Sequence, residues 1–172
     1  MNAVSVRREE PRDAVRVRSV VVAAFGAAGS DGEPVEARLL DGLRADPASV
    51  TSSWVAEADG QVVGHLVVVP VTVGEGTASA IGMVAVDPAH EKSGHGGSLM
   101  GAALGDLIRA GETLVVVLGS PAYYGRFGFV PAPVVGVESA LYPSPYMQAL
   151  PLRVAHPRGE ITYPRPYRDL EP

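Results

Sequence analysis

The sequence predicts one α/β domain of the α+β type, with about six to seven strands and about four flanking helices. Three observations carry that prediction. Apolar runs on either side of Asp59-Gly60 read as a β-hairpin. A glycine-rich loop over residues 93–97 separates a strand from an amphipathic helix, and a second apolar strand follows that helix. Nine of the fifteen prolines lie after residue 130, which confines that tail to edge strands, turns and loops.

Residues 4–8 are read as a short first strand. Asp13 stands where a helix N-cap belongs, and Val17, Val20, Val21, Ala24 and Phe25 repeat at helical spacing up to Gly26. Pro34 suits the first turn of a second helix, on which Glu36, Leu39, Leu40 and Leu43 share a face. Residues 53–58 and 61–69 are the hairpin strands, since Asp and Gly both tolerate positive φ in the connecting turn. In the second of them Val63, His65, Val67 and Val69 face one way, and Val62, Gly64, Leu66 and Val68 the other. Both faces are apolar, so this strand is central and covered on both sides.

Gly74-Glu75-Gly76 leads into a strand over residues 78–86, which ends at Asp87-Pro88. Leu99, Met100, Ala103, Leu104, Leu107 and Ile108 stripe the next helix, and Gly111 is placed to stop it. Residues 113–118 form a buried strand, Pro121 starts a short helix to about Arg126, and Phe129-Val130 begins another strand.

The 172 residues are 47% hydrophobic and 19% charged, enough for a sizeable core and too little charge for a disordered chain. No repeat or linker divides them, so residues 1–172 are expected to be one domain. The net charge of −5 argues against a nucleic-acid partner. Arg7, Arg8, Arg12, Arg16 and Arg18 read as the solvated sides of the first strand and helix. With no cysteine, disulfides, thiolate metal sites and a cysteine nucleophile are excluded. The four histidines, at 65, 90, 95 and 156, have no metal-binding spacing, and no metal is expected. The N-terminus turns charged before any signal region forms, and the longest apolar stretch, residues 62–73, is too short to span a bilayer. A soluble cytoplasmic protein without membrane partners is the expectation.

The chemistry concentrates where the strand ending at Val86 meets the loop from Asp87 to Gly97 and the helix beyond it. A helix N-terminus offers unpaired N–H groups and a positive dipole end, and glycines let a phosphate approach them closely. Lys92, the single lysine of the chain, sits in this loop. The stretch Val86-Asp87-Pro88, then Glu91-Lys92-Ser93-Gly94-His95-Gly96, resembles the pyrophosphate loop of the GNAT acetyltransferase superfamily, Gln/Arg-x-x-Gly-x-Gly/Ala. Downstream, Tyr123-Tyr124-Gly125-Arg126-Phe127-Gly128-Phe129 is similar to the family's Tyr-x-x-x-Gly-Phe segment. Glu36-Ala37, Val62-Val63-Gly64-His65 and Leu118-Gly119-Ser120-Pro121 are further echoes.

The resemblance implies a GNAT fold: a mixed, mostly antiparallel central sheet whose central strands splay, with acetyl-CoA in the gap as co-substrate. It implies cofactor contacts from Met83, Val84, Ala85 and Val86 along the strand, and from Glu91, Lys92, Ser93, Gly94, His95, Gly96, Gly97 and Ser98 around the pyrophosphate. A primary amine of a small molecule or peptide then attacks the thioester directly, the Val84 N–H stabilises the oxyanion, and Tyr124 protonates the departing thiolate. Tyr123 is the poorer candidate for that role, and Phe127 and Phe129 read as core. For the general base Glu36 borders the acceptor side, while Glu57, a water chain and His65 remain alternatives; His65 reads better as a core residue, and His95 as an exposed loop residue. Glu91 replaces the usual Gln or Arg, and the asparagine that many relatives carry near Val117 is missing. Glu91 favours a second reading, a GNAT domain without transferase activity that senses a ligand or binds a partner. The resemblance also admits a homodimer.

Overall fold

The structure, a computed structural model, describes residues 4–26, 32–143 and 145–170. Strand β1 (Ser5–Arg8) leads to helices α1 (Ala14–Phe25) and α2 (Val35–Ala45). Strands β2 (Ser52–Ala58), β3 (Gln61–Val73) and β4 (Gly76–Val86) follow as a meander, then helix α3 (His95–Arg109) and strand β5 (Leu114–Leu118). After the single-turn helix α4 (Pro121–Tyr124), the tail holds β6 (Val130–Pro131), β7 (Val137–Glu138), β8 (Met147–Pro151), β9 (Gly159–Thr162) and the single turn α5 (Arg165–Arg168).

The main sheet runs β1-β2-β3-β4-β5-β8-β6, with β9 beside β3 and β7 beside β9. Its pairs are antiparallel except β4–β5, and β7–β9 is the other parallel pair. The mixed, mostly antiparallel sheet is therefore as expected. The β2–β3 turn has positive φ at both Asp59 and Gly60, 51° and 75°, the mirror-image geometry that matches strand twist.

Two apolar layers cover the sheet. On one face Val17, Val20 and Val21 of α1 and Leu39, Leu40 and Leu43 of α2 pack with Val67, Val69 and Met83. On the other, Leu99, Met100, Ala103, Leu104 and Leu107 of α3 pack with Trp54, Leu66, Val68 and Val115. Ile108 departs from the expected stripe and is 56% exposed. Val62 also departs from the expected alternation. Ala56 pairs with Gly64 while Glu57 pairs with Val62, so a bulge at Val63 turns Val62 into the α1-side core.

Asp13 precedes α1 as expected, but its side chain does not cap the helix. It accepts hydrogen bonds from Arg7 and from the Glu10 N–H instead. Arg7, Arg8, Arg12, Arg16 and Arg18 all form ion pairs on the protein's own carboxylates. The proline-rich tail yields one surprise: β8 is interior, paired with β5 on one side and β6 on the other. Pro151 stands at its last position, where a missing N–H costs least.

What positions the site is the parting of β4 from β5. They pair only over Ser79–Ile81 with Val115–Val117, whereas β4 stays paired to β3 as far as Val86. The divergence begins at a bulge: Val67 pairs with Met83 and Val68 with Ile81, leaving Gly82 unmatched. A Cβ at Gly82 would stand 2.5 Å from the Tyr167 hydroxyl, so a larger residue there must push that side chain aside. From Gly82 onward the β5-facing edge of β4 has no strand beside it, and its alternate N–H and C=O groups point into the gap.

Candidate active site

The gap holds two chambers that share Val84, Tyr123 and Tyr124. The first, about 870 Å³, is walled by Val84 and Val86 of β4, the loop into α3, and Tyr123, Arg126 and Phe127. Helix α3 begins at Gly94, whose φ of 83° lies in the left-handed region. No side chain caps this end, and its first turn holds no acidic residue. The Ser98 N–H reaches back 3.0 Å to the Gly94 carbonyl. The N–H groups of His95, Gly96 and Gly97 thus precede the first helical bond, at the positive end of the helix dipole. A Cβ at Gly94 or Gly97 would meet open space, while one at Gly96 would stand 2.7 Å from the Tyr123 hydroxyl oxygen.

Two cations border this chamber. Lys92 adopts φ 61° in the loop. The Arg126 guanidinium lies 4.4 Å above the Tyr123 ring. Among the described residues neither has a carboxylate partner. Glu91 is exposed at the rim beside Lys92. His95 corrects the expectation of an exposed loop residue: it is the first residue of α3 and 5% exposed. Burial, then the nearby His90, lowers its pKa and favours the neutral ring. Phe127, expected in the core, is half-buried and lines the chamber.

The second chamber, about 760 Å³, lies on the α1–α2 side of the gap. Its walls are Phe25, Val35, Glu36 and Leu39 from the helices, Ile81, Gly82 and Met83 from β4, and Leu118 and Ser120 beyond β5. Leu141, Tyr142, Tyr163, Tyr167 and Leu170 of the tail close it. Among the described residues Glu36 is its one carboxylate, and that carboxylate has no ion pair or side-chain hydrogen bond there.

Tyr124 stands where the chambers meet. Ser120 caps the single turn of α4, and the Tyr124 N–H donates to the Ser120 carbonyl at 3.0 Å. The ring packs on bare backbone, since a Cβ at Gly119 would stand 2.3 Å from its Cε2 atom. Phe129 flanks it with ring centroids 5.8 Å apart. Burial, followed by the neighbouring Tyr123, pushes the Tyr124 hydroxyl up to about 12, so it stays protonated at neutral pH.

Of the residues the sequence singled out, the structure brings Val84, Val86, Glu91, Lys92, Gly94, His95, Gly96, Gly97 and Tyr124 around the first chamber. Met83 and Glu36 line the second. Ala85, Ser93 and Ser98 line neither: Ala85 is buried in the α1-side core, and Ser93 and Ser98 face solvent. The alternative bases lie elsewhere. Glu57 accepts from Arg7 at 2.6 Å, and His65 is fully buried, its Nδ1 3.7 Å from Glu9. Sequence reasoning missed His90, Arg126 and the tail tyrosines.

A strand edge left open opposite an uncapped helix N-terminus can pair a ligand's amide groups and hold an anion, and a protonated tyrosine stands beside it. Residues 5–132 match the sequence profile of the family described as the acetyltransferase (GNAT) domain. The chain belongs to the GNAT acetyltransferase family. It is 32% identical over 126 residues to YhbS of Escherichia coli strain K12, an uncharacterized N-acetyltransferase, a match covering 72% of each chain. It is similar to the crystal structure of a GNAT family acetyltransferase from Brucella melitensis in complex with acetyl-CoA. That match has 35% identity and a TM-score of 0.79, and covers 97% of this chain and 99% of that one. The crystal structure of E. coli YhbS in complex with CoA gives 27% identity and a TM-score of 0.87, covering 98% and 93%. No helix among the described residues is long and apolar enough to cross a membrane, and no group there could hold a metal ion.

Proposed function

We propose that this protein transfers the acetyl group of acetyl-CoA to the primary amine of a small molecule or peptide, by direct attack and without a covalent enzyme intermediate. The observation that carries the reading is the meeting of two chambers at Val84 and Tyr124, one built for an anion and one holding a carboxylate. The residues fit the cofactor: the free N–H groups opening α3, the glycine-lined loop, Lys92 and Arg126 suit a pyrophosphate. Glu91 is exposed beside Lys92, which offsets its charge. The E. coli and Brucella relatives bound CoA and acetyl-CoA.

When bound, acetyl-CoA supplies an acyl group activated as a thioester. The open edge of β4 at Met83–Val86 would pair with the pantetheine arm, and the Val84 N–H would donate to the carbonyl oxygen as negative charge develops there. Glu36 would hold the incoming ammonium and accept its proton, directly or through water. Tyr124, kept protonated by burial, would donate its hydroxyl proton to the departing sulfur.

The test is titration of the purified protein with acetyl-CoA by calorimetry and thermal shift. A ligand at about 100 times its Kd adds about 2.7 kcal/mol of stability, which appears as a clear rise in Tm. Saturable binding with slow thiol release that accelerates on adding amines supports the proposal. No binding at millimolar concentrations overturns it.

A further inference from the structure

The second chamber is a poor home for a polycation or an extended peptide. Among the described residues Glu36 is its sole charged side chain, and apart from Ser120 and two glycines the rest of the wall is aliphatic or aromatic. The part that would select a ligand comes from Leu141, Tyr142, Tyr163, Tyr167 and Leu170, all beyond the residues 5–132 that match the family. Tyr142 and Tyr163 meet edge to face at 5.4 Å, and Tyr163 and Tyr167 lie tilted at 4.9 Å, making a continuous aromatic wall. Within it the Tyr167 hydroxyl is buried, the residue being 4% exposed, and has no hydrogen-bond partner among the described residues. A wall of this kind, apolar with one carboxylate among its described residues, matches a ligand with one positive charge and an apolar body.

We infer that the acceptor is a small primary amine with an aromatic or similarly apolar body, its ammonium at Glu36 and its body against the tail tyrosines. This rests on the acetyl-transfer reading and narrows its substrate to one chemical class. With the open edge of β4 taken by the cofactor, a peptide N-terminus would find only the Ser120 and tyrosine hydroxyls to pair its backbone N–H and C=O groups. A polyamine would bury further charges with no second carboxylate.

Thiol release from acetyl-CoA is measured with 2-phenylethylamine, tyramine, spermidine and a Ser-Ala-Gly tripeptide. The two aryl amines are expected to exceed spermidine and the tripeptide in kcat/KM by about tenfold or more. Leu141→Trp, which narrows the chamber from a half-buried position, is expected to raise KM for 2-phenylethylamine several-fold while the acetyl-CoA Kd stays unchanged. Acetyl-CoA bound and turned over equally well with spermidine or the tripeptide overturns the inference and leaves acetyl transfer standing. If acetyl-CoA does not bind, acetyl transfer fails, and calorimetric titration of 2-phenylethylamine alone decides the chamber's ligand class. Saturable binding lost in Leu141→Trp then supports the inference, and no binding overturns it.

Discussion

Burial acts on Tyr124 and His65 through one cause with opposite signs. Poor solvation disfavours the charged form, so the phenol rises to about 12 and the imidazole falls to about 4. For Tyr124 the consequence is functional. A fall in turnover on the alkaline side, up to about pH 10, does not come from this hydroxyl. Tyr124→Phe is expected to lower kcat about a hundredfold or more, the usual size of a lost general acid, with acetyl-CoA affinity retained. Steady-state kinetics beside a binding titration checks this, and unchanged kcat removes Tyr124 from the mechanism. For His65 the consequence is stability. The ring is lowered by burial first, with Arg44 opposing and Glu9 favouring its charge. Between its ordinary 6.5 and about 4 the unfolded chain holds the extra proton, so stability present above 6.5 is lost as pH falls through that window. The urea midpoint of the wild type should therefore drop more steeply between about pH 7.5 and about pH 5 than that of His65→Leu. The lowered carboxyls of Asp13, Asp41 and Asp87 act only further down, below their ordinary 3.8.

At the scale of elements, glycines decide where the site's aromatic side chains stand. Gly119 ends β5 and gives the Tyr124 ring its seat, so a methyl group there must displace the ring. Gly119→Ala is expected to cut kcat in the same direction as Tyr124→Phe while Tm falls only slightly, because Gly119 lies outside both apolar layers. A Gly119→Ala enzyme with wild-type kcat would show that the ring's seat is unimportant. Much of this was legible beforehand. The Asp59-Gly60 turn, the α3 stripe up to Leu107 and the left-handed glycine before α3 each announce themselves through short-range pattern, where one period or one positive φ decides the outcome. The rest was set at long range. β8 sits between β5 and β6 through pairings that no local run of residues encodes. Val62 changes face because of a bulge whose cause lies in the partner strand. His95 is buried because α3 takes in the last three residues of the expected glycine-rich loop and packs its first turn toward His90, with ring centroids 6.1 Å apart. Tail residues such as Tyr142 and Tyr167 reach the second chamber only once the whole sheet is assembled.

Across the whole molecule, the sheet is least complete at the gap where the acetyl-CoA site is proposed. β4 has β3 along one edge throughout, but β5 along the other only as far as Ile81. A sheet edge left open in the centre of a domain forfeits hydrogen bonds that a continuous ladder would make, and a ligand with its own amide groups restores them. This sets apart the residues that ligand binding should protect from those it should leave alone. Amide hydrogen exchange is expected to show the gap-facing groups of residues 82–86 and the first turn of α3 exchanging faster than residues 79–81 in the free protein. Saturating acetyl-CoA should slow exchange at both places by more than it slows the β2–β3 ladder, which lies inside the sheet and away from the gap. Uniform slowing across the sheet would mean that the ligand binds without engaging the open edge. No slowing at residues 82–86, with protection confined to residues 94–97, would mean that the pyrophosphate site is used while the pantetheine takes another route. Protection at both sites together is the signature of a single extended ligand lying along the gap, from the helix start to the point where Val84 and Tyr124 face each other.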